Sequence, residues 1–116
     1  MLQIYGIKNC NSMKKAFDLL NALGLPYNFH DYKKQGIDAA HLKTWLEALG
    51  VDTVLNKKGT TWRKLTPEQQ QYALSNEEAL IETLMTHTSL IKRPILHTAT
   101  GFIAGFDEDS YRKITL

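Results

Sequence analysis

The chain has 116 residues with 43% hydrophobic and 22% charged side chains, a net charge of +2 and a single cysteine. That is enough for one domain with its own core, and the composition is too apolar for disorder. It excludes an internal disulfide; no run approaches the roughly 20 apolar residues of a membrane span, and the basic residues form no stripe with aromatic readers. A cytoplasmic protein is expected, with no basic leader, no membrane partner and no direct nucleic-acid partner.

The chain opens with a short apolar strand carrying Leu2, Ile4 and Tyr5, broken by Gly6. From Ser12 onward Met13, Ala16, Phe17, Leu20 and Leu23 recur at helical spacing, and Gly24-Leu25-Pro26 stops the helix. Alternation over Tyr27–Tyr32 predicts a second strand, which a right-handed crossover makes a parallel neighbour of the first. Lys33-Lys34-Gln35-Gly36 reads as a loop. Asp38 then caps a helix with Leu42, Trp45, Leu46 and Leu49 on one stripe, ended by Gly50.

Between Val51 and Ser89 no convincing strand is found, but Thr66-Pro67-Glu68 and Asn76-Glu77-Glu78 are helix starts. Apolar β-compatible sequence returns at Ile91–Leu96, with Pro94 at the first strand position. Thr100-Gly101 turns the chain so that Phe102-Ile103-Ala104 can pair with Ile95–Thr98. Asp107-Glu108-Asp109 opens a last short helix. The order is βαβ, helices, ββα, read as one α/β domain: residues 1–50 a βαβ half with its second helix, 51–90 a helical insertion, 91–116 a ββα half.

Cys10 falls at the first strand-to-helix junction, among Lys8, Asn9, Asn11 and Ser12. The first turn of a helix has unpaired N–H groups and the positive end of the macrodipole, which favour a thiolate over a thiol. Ser12 is the expected N-cap, the amides of Asn11 and Ser12 are the expected thiolate donors, and Lys8, Lys14 and Lys15 add positive charge nearby. A Cys-x5-Arg phosphatase would need arginine where Ala16 stands, and His30, His41, His87 and His97 are too scattered for a metal site. His97 is the histidine to watch, since it follows Pro94 on the strand nearest the cysteine.

The stretches Tyr5-Gly6-Ile7-Lys8-Asn9-Cys10, Ile91-Lys92-Arg93-Pro94-Ile95-Leu96 and Gly105-Phe106-Asp107-Glu108, set in this order of elements, resemble the arsenate-reductase-like (ArsC/Spx) family of thioredoxin-fold proteins and its YffB-type reductases. The resemblance implies a thioredoxin-like βαβ…ββα mixed four-stranded sheet, Cys10 as nucleophile, Arg93 as helper of the thiolate or oxyanion, and a cis peptide before Pro94. A guanidinium beside a thiolate has a physical logic of its own, since it stabilises the anion and forks hydrogen bonds to oxyanions. Where arsenate reducers of the family carry two further arginines, this chain has Asn56 and Phe106, which argues against arsenate as its natural substrate.

Spx regulators sense oxidation through Cys-x-x-Cys, but here the pattern is Cys10-Asn11-Ser12-Met13, so an intramolecular switch is impossible. A lone thiolate needs an outside thiol to complete a cycle, and the cytosol's abundant small thiol is glutathione. The expectation is a glutathione-linked thiol reductase with no bound cofactor and no metal. Cys10 and Arg93 would be catalytic, and Lys8, Asn11, Ser12, Asn56 and Pro94 would bind substrate. Glutathione is the expected cosubstrate, with a glutaredoxin or oxidised protein thiols as further partners, and RNA-polymerase binding is the alternative.

Overall fold

The computed structural model describes residues 1–115. In chain order the elements are β1 (Leu2–Gly6), α1 (Asn11–Ala22), β2 (Tyr27–Asp31), α2 (Tyr32–Gln35), α3 (Ala39–Leu49), α4 (Val51–Val54), α5 (Thr60–Lys64), α6 (Pro67–Ala73), α7 (Glu77–Thr86), a 3₁₀ turn (Thr88–Leu90), β3 (Ile95–Thr98), β4 (Gly101–Ala104) and α8 (Glu108–Arg112). They form two compact units, one of Met1–Gln35 with the chain from Lys92 onward, the other of Gly36–Ile91. α3 therefore belongs with the helices that follow it, and the helical unit begins at Gly36, earlier than the break at residue 51 read from the sequence.

The first unit is built on one sheet of order β2-β1-β3-β4, the expected thioredoxin-like arrangement. β1 and β2 run parallel from Leu2 opposite Tyr27 to Gly6 opposite Asp31. β3 lies antiparallel to β1, with Tyr5 opposite Ile95, and β4 closes the hairpin, with Thr98 opposite Gly101. Side chains alternate along a strand, so Leu2, Ile4 and Leu96 share a face and form one core cluster with Met13, Ala16 and Leu20 of α1 and Tyr111 of α8. Fully burying each large apolar side chain contributes about 1.5–3 kcal/mol. Phe17 ties α1 to the edge strand, its ring stacked on Tyr27 at 5.4 Å and edge-on to Phe29 at 5.0 Å.

Two local readings change. Tyr32–Gln35 is a helical turn instead of strand end plus loop, because the buried Asp31 accepts from the Lys33 N–H at 2.9 Å while the Asp31 N–H donates to the Gln35 side chain at 3.1 Å. Pro94 is buried ahead of β3, which starts at Ile95.

The helical unit caps its own helices. The Asp38 carboxylate accepts from His41 N–H at 2.8 Å, the Asn76 carbonyl from Ala79 N–H at 2.8 Å, and Thr66 and Gln69 form a reciprocal capping box. Leu42, Trp45, Leu80 and Leu84 are buried. The single-turn helices α4 and α5 were not foreseen, and the unit also holds a one-rung bridge between Leu55 and Ile91.

Candidate functional site

The sulfur owes its address to the end of β1. Gly6 is the last strand residue, and a side chain there would meet the buried Met13 thioether, which would have to move aside, so glycine lets α1 pack its Met13 directly over the end of β1. The chain then turns through Lys8, whose carbonyl accepts the Cys10 N–H at 3.0 Å. Cys10 is the N-cap, in extended backbone with φ −135° and ψ 135°, and its carbonyl accepts the Lys14 N–H at 3.0 Å as the first bond of the helix.

Ser12 is therefore not the cap. A sulfur stands where hydroxyl or carboxylate is usual, and it closes no capping hydrogen bond of ordinary geometry. The Met13 and Ser12 amides nevertheless act on its charge. Burial of the half-exposed thiol pushes its pKa up, and that effect is outweighed by the amides of Met13 and Ser12 and then by a hydrogen bond and the charge of Arg93. The net direction is down, which favours thiolate. The donors are thus Ser12 and Met13, one residue further along than Asn11 and Ser12. Only an N-cap on Cys10, which a search for hydroxyl caps passes over, would have announced Met13.

Arg93, eighty-odd residues away in sequence, donates a hydrogen bond to the Cys10 sulfur, and the peptide that joins it to Pro94 is cis. The Pro94 carbonyl accepts the Gly105 N–H at 2.7 Å, and Gly105 has φ +74°, a conformation suited to glycine. Arg93's charge also acts on Tyr32, which is 1% exposed: burial raises that phenol most, Tyr5 adds to the rise, and Arg93 opposes it. Tyr32 is a neighbour that strand periodicity gave no reason to single out.

The remaining candidates divide. Lys8, Asn9 and Asn11 are exposed on the turn around the sulfur. Lys14 is paired with Asp18 at 3.0 Å on the open face of α1, so among the described residues it is Arg93, not the lysines, that shifts the thiol. His97 stacks on Phe102 at 4.5 Å and, next to Leu96 on the strand, faces away from the α1 side of the sheet. Phe106 packs edge-on to Tyr111 at 5.3 Å, an apolar role. Asn56 belongs to the helical unit, where its side-chain oxygen accepts the Lys58 N–H at 3.1 Å and closes a turn. Among the described residues no cluster of His, Cys, Asp or Glu could hold a metal, and no helix is long and apolar enough to cross a membrane.

A helix-mouth thiol backed by an arginine before a cis-proline, on a four-stranded thioredoxin-like sheet, defines a class of single-cysteine thiol proteins. The chain belongs to the ArsC family, whose model matches residues 5–114. It is similar over its whole length to a solved protein called YffB, with 41% identity, a TM-score of 0.92 and all of both chains covered. It also resembles an arsenate reductase (ArsC) related protein from Brucella melitensis, with 39% identity, a TM-score of 0.73 and 96% of this chain and 91% of that one covered. The global transcriptional regulator Spx of Listeria innocua is 24% identical, over 97% of this chain and 86% of its own.

Proposed function

We propose that the protein is a glutathione-linked thiol oxidoreductase. The Cys10 thiolate attacks one sulfur of oxidised glutathione, or of a protein–glutathione mixed disulfide; the new Cys10–glutathione disulfide forms as the other thiolate leaves. A second thiol, from glutathione or a glutaredoxin, then attacks the glutathione sulfur, forms a new disulfide and returns Cys10 as thiolate. The productive substrate is the protein–glutathione mixed disulfide: over one cycle its protein thiol is released reduced, one incoming thiol ends oxidised in a disulfide, and Cys10 is unchanged, whereas oxidised glutathione with glutathione gives exchange with no net product.

What carries this reading is the single cysteine, placed where the Ser12 and Met13 amides and the Arg93 guanidinium favour its anion with no second thiol in the chain to resolve an adduct. In the proposed roles Arg93 stabilises charge on the reacting sulfur, while Lys8, Asn11, Ser12 and Pro94 border the incoming peptide. Phe106 and Asn56 at the arginine positions argue against arsenate, because a point charge such as Lys57 does not reproduce a forked guanidinium.

Incubation with oxidised glutathione followed by intact mass measurement tests the proposal. One glutathione adduct on the wild type and none on Cys10→Ser is expected; no adduct on the wild type, or equal adducts on both, ends it. The likeness to Spx supports a second reading, a non-catalytic module bound to RNA polymerase. Alkylation of Cys10 by iodoacetamide near neutral pH separates the two, since a rate no faster than a free thiol's favours the module.

A further inference from the structure

We infer that the α6–α7 hairpin of the helical unit is a docking surface for a lysine- or arginine-bearing amphipathic segment of a partner protein. The observation starts in the sequence: from Leu65 to Ile91 there are four carboxylates, Glu68, Glu77, Glu78 and Glu82, and no lysine or arginine, although the whole chain carries a net charge of +2. The hairpin is acidic in an otherwise basic protein.

The same hairpin holds three of the exposed large apolar side chains: Tyr72 is 50% exposed, Leu74 48% and Met85 44%. Between the two helices lies an open, mostly apolar groove of about 300 Å³, floored by Leu65 and Tyr72 and flanked by Glu68 from α6 and Glu82 from α7. The Tyr72 hydroxyl donates to Glu82 at 2.8 Å, which fixes both the ring and the carboxylate at the lip of the groove.

A cationic side chain matches this arrangement part for part. Its aliphatic stem would lie on the Tyr72 ring and Leu65, and its charged head between Glu68 and Glu82, where cation–π attraction adds to ion pairing. Apolar residues of the same segment would fill the rest of the groove over Leu65, in the manner of a helix laid in a groove; Leu74 lines a separate groove with Leu46, Val51 and Leu80. An anionic partner is repelled. A second copy of this chain is disfavoured by symmetry: the hairpin carries no lysine or arginine and only His87 at the groove, so a copy would have to dock a different surface to supply a strong cation, a head-to-tail contact that does not close into a dimer.

The test uses the full chain and a fluorescent amphipathic peptide of leucine and lysine, with its leucine–glutamate counterpart as control, read by anisotropy. Binding of the lysine peptide alone is expected, weakened by added salt and lost by roughly tenfold or more in the Glu68→Lys, Glu82→Lys double variant. Tyr72→Ala, at an exposed position, should weaken it while circular dichroism stays that of the wild type, and Leu74→Ser, which lies in the separate groove beside Leu46 and Val51, should leave it unchanged. Equal binding of both peptides, no binding, or binding that survives the charge reversal overturns the inference. So does concentration-dependent self-association of the wild type that the same reversal abolishes, which would assign the surface to a second copy.

Discussion

The mouths of two helices, α1 in the sheet unit and α6 in the helical unit, solve the same problem in opposite ways. At α6 the Thr66 hydroxyl accepts the Gln69 N–H at 3.1 Å, and the Gln69 side chain accepts the Thr66 N–H at 2.8 Å. At α1 the cap is a sulfur that closes no such bond, and the amides of Ser12 and Met13 are left aimed at it. One helix spends its unpaired donors on stability; the other keeps them for an anion. The contrast teaches that a weak cap at a turn otherwise well supplied with Asn and Ser is a place to look for chemistry.

The contrast can be broken most severely by removing the sulfur: Cys10→Ser should reduce glutathione adduct formation to background in the mass assay. Close behind is Met13→Ala. Met13 is fully buried, so the truncation should cost about 2–5 kcal/mol by urea unfolding, and it loosens the turn whose amide faces the thiol. Thr66→Ala should cost about 1 kcal/mol in the same experiment yet leave Cys10 alkylation unchanged. The sharpest comparison is the stability of Cys10→Ser itself, measured at acid pH where the thiol is protonated: a hydroxyl is a better cap than a neutral thiol, so the variant should there be more stable than the wild type by a few tenths of a kcal/mol to about 1 kcal/mol.

The pH dependence follows from the direction of the Cys10 shift. A thiol whose folded pKa lies below its unfolded one lends stability above the unfolded value and loses it as pH falls through the folded value. A titration of alkylation rate against pH should have its midpoint below that of free cysteine. Arg93→Ala should move that midpoint up and slow alkylation at neutral pH; an unmoved curve would make Arg93 structural only.

Much of this could be read from residues alone. The strand–turn–helix around Cys10, the β3–β4 hairpin and the caps at Asp38, Thr66, Asn76 and Asp107 each follow from local periodicity or capping chemistry, and each is present. What periodicity missed has a physical pattern. α2, α4 and α5 are single turns, too short for an apolar repeat, and α2 depends on Asp31 being buried beside it. The cap falls on Cys10 and not on Ser12, because cap preferences describe stable helix ends, not sulfur-bearing ones. The approach of Arg93 to Cys10 joins distant parts of the chain, so family resemblance alone could suggest it; the influence of Arg93 on Tyr32 had no local signature at all.

The sulfur-capped mouth of α1 also makes the protein a reporter on itself. Above the folded pKa of the thiol, an alkyl tag on Cys10 removes a negative charge that the Ser12 and Met13 amides and Arg93 favour. The modified molecule should therefore melt at a slightly lower temperature than the free one, and a calorimeter would register the chemical history of one atom as a displacement of the whole transition.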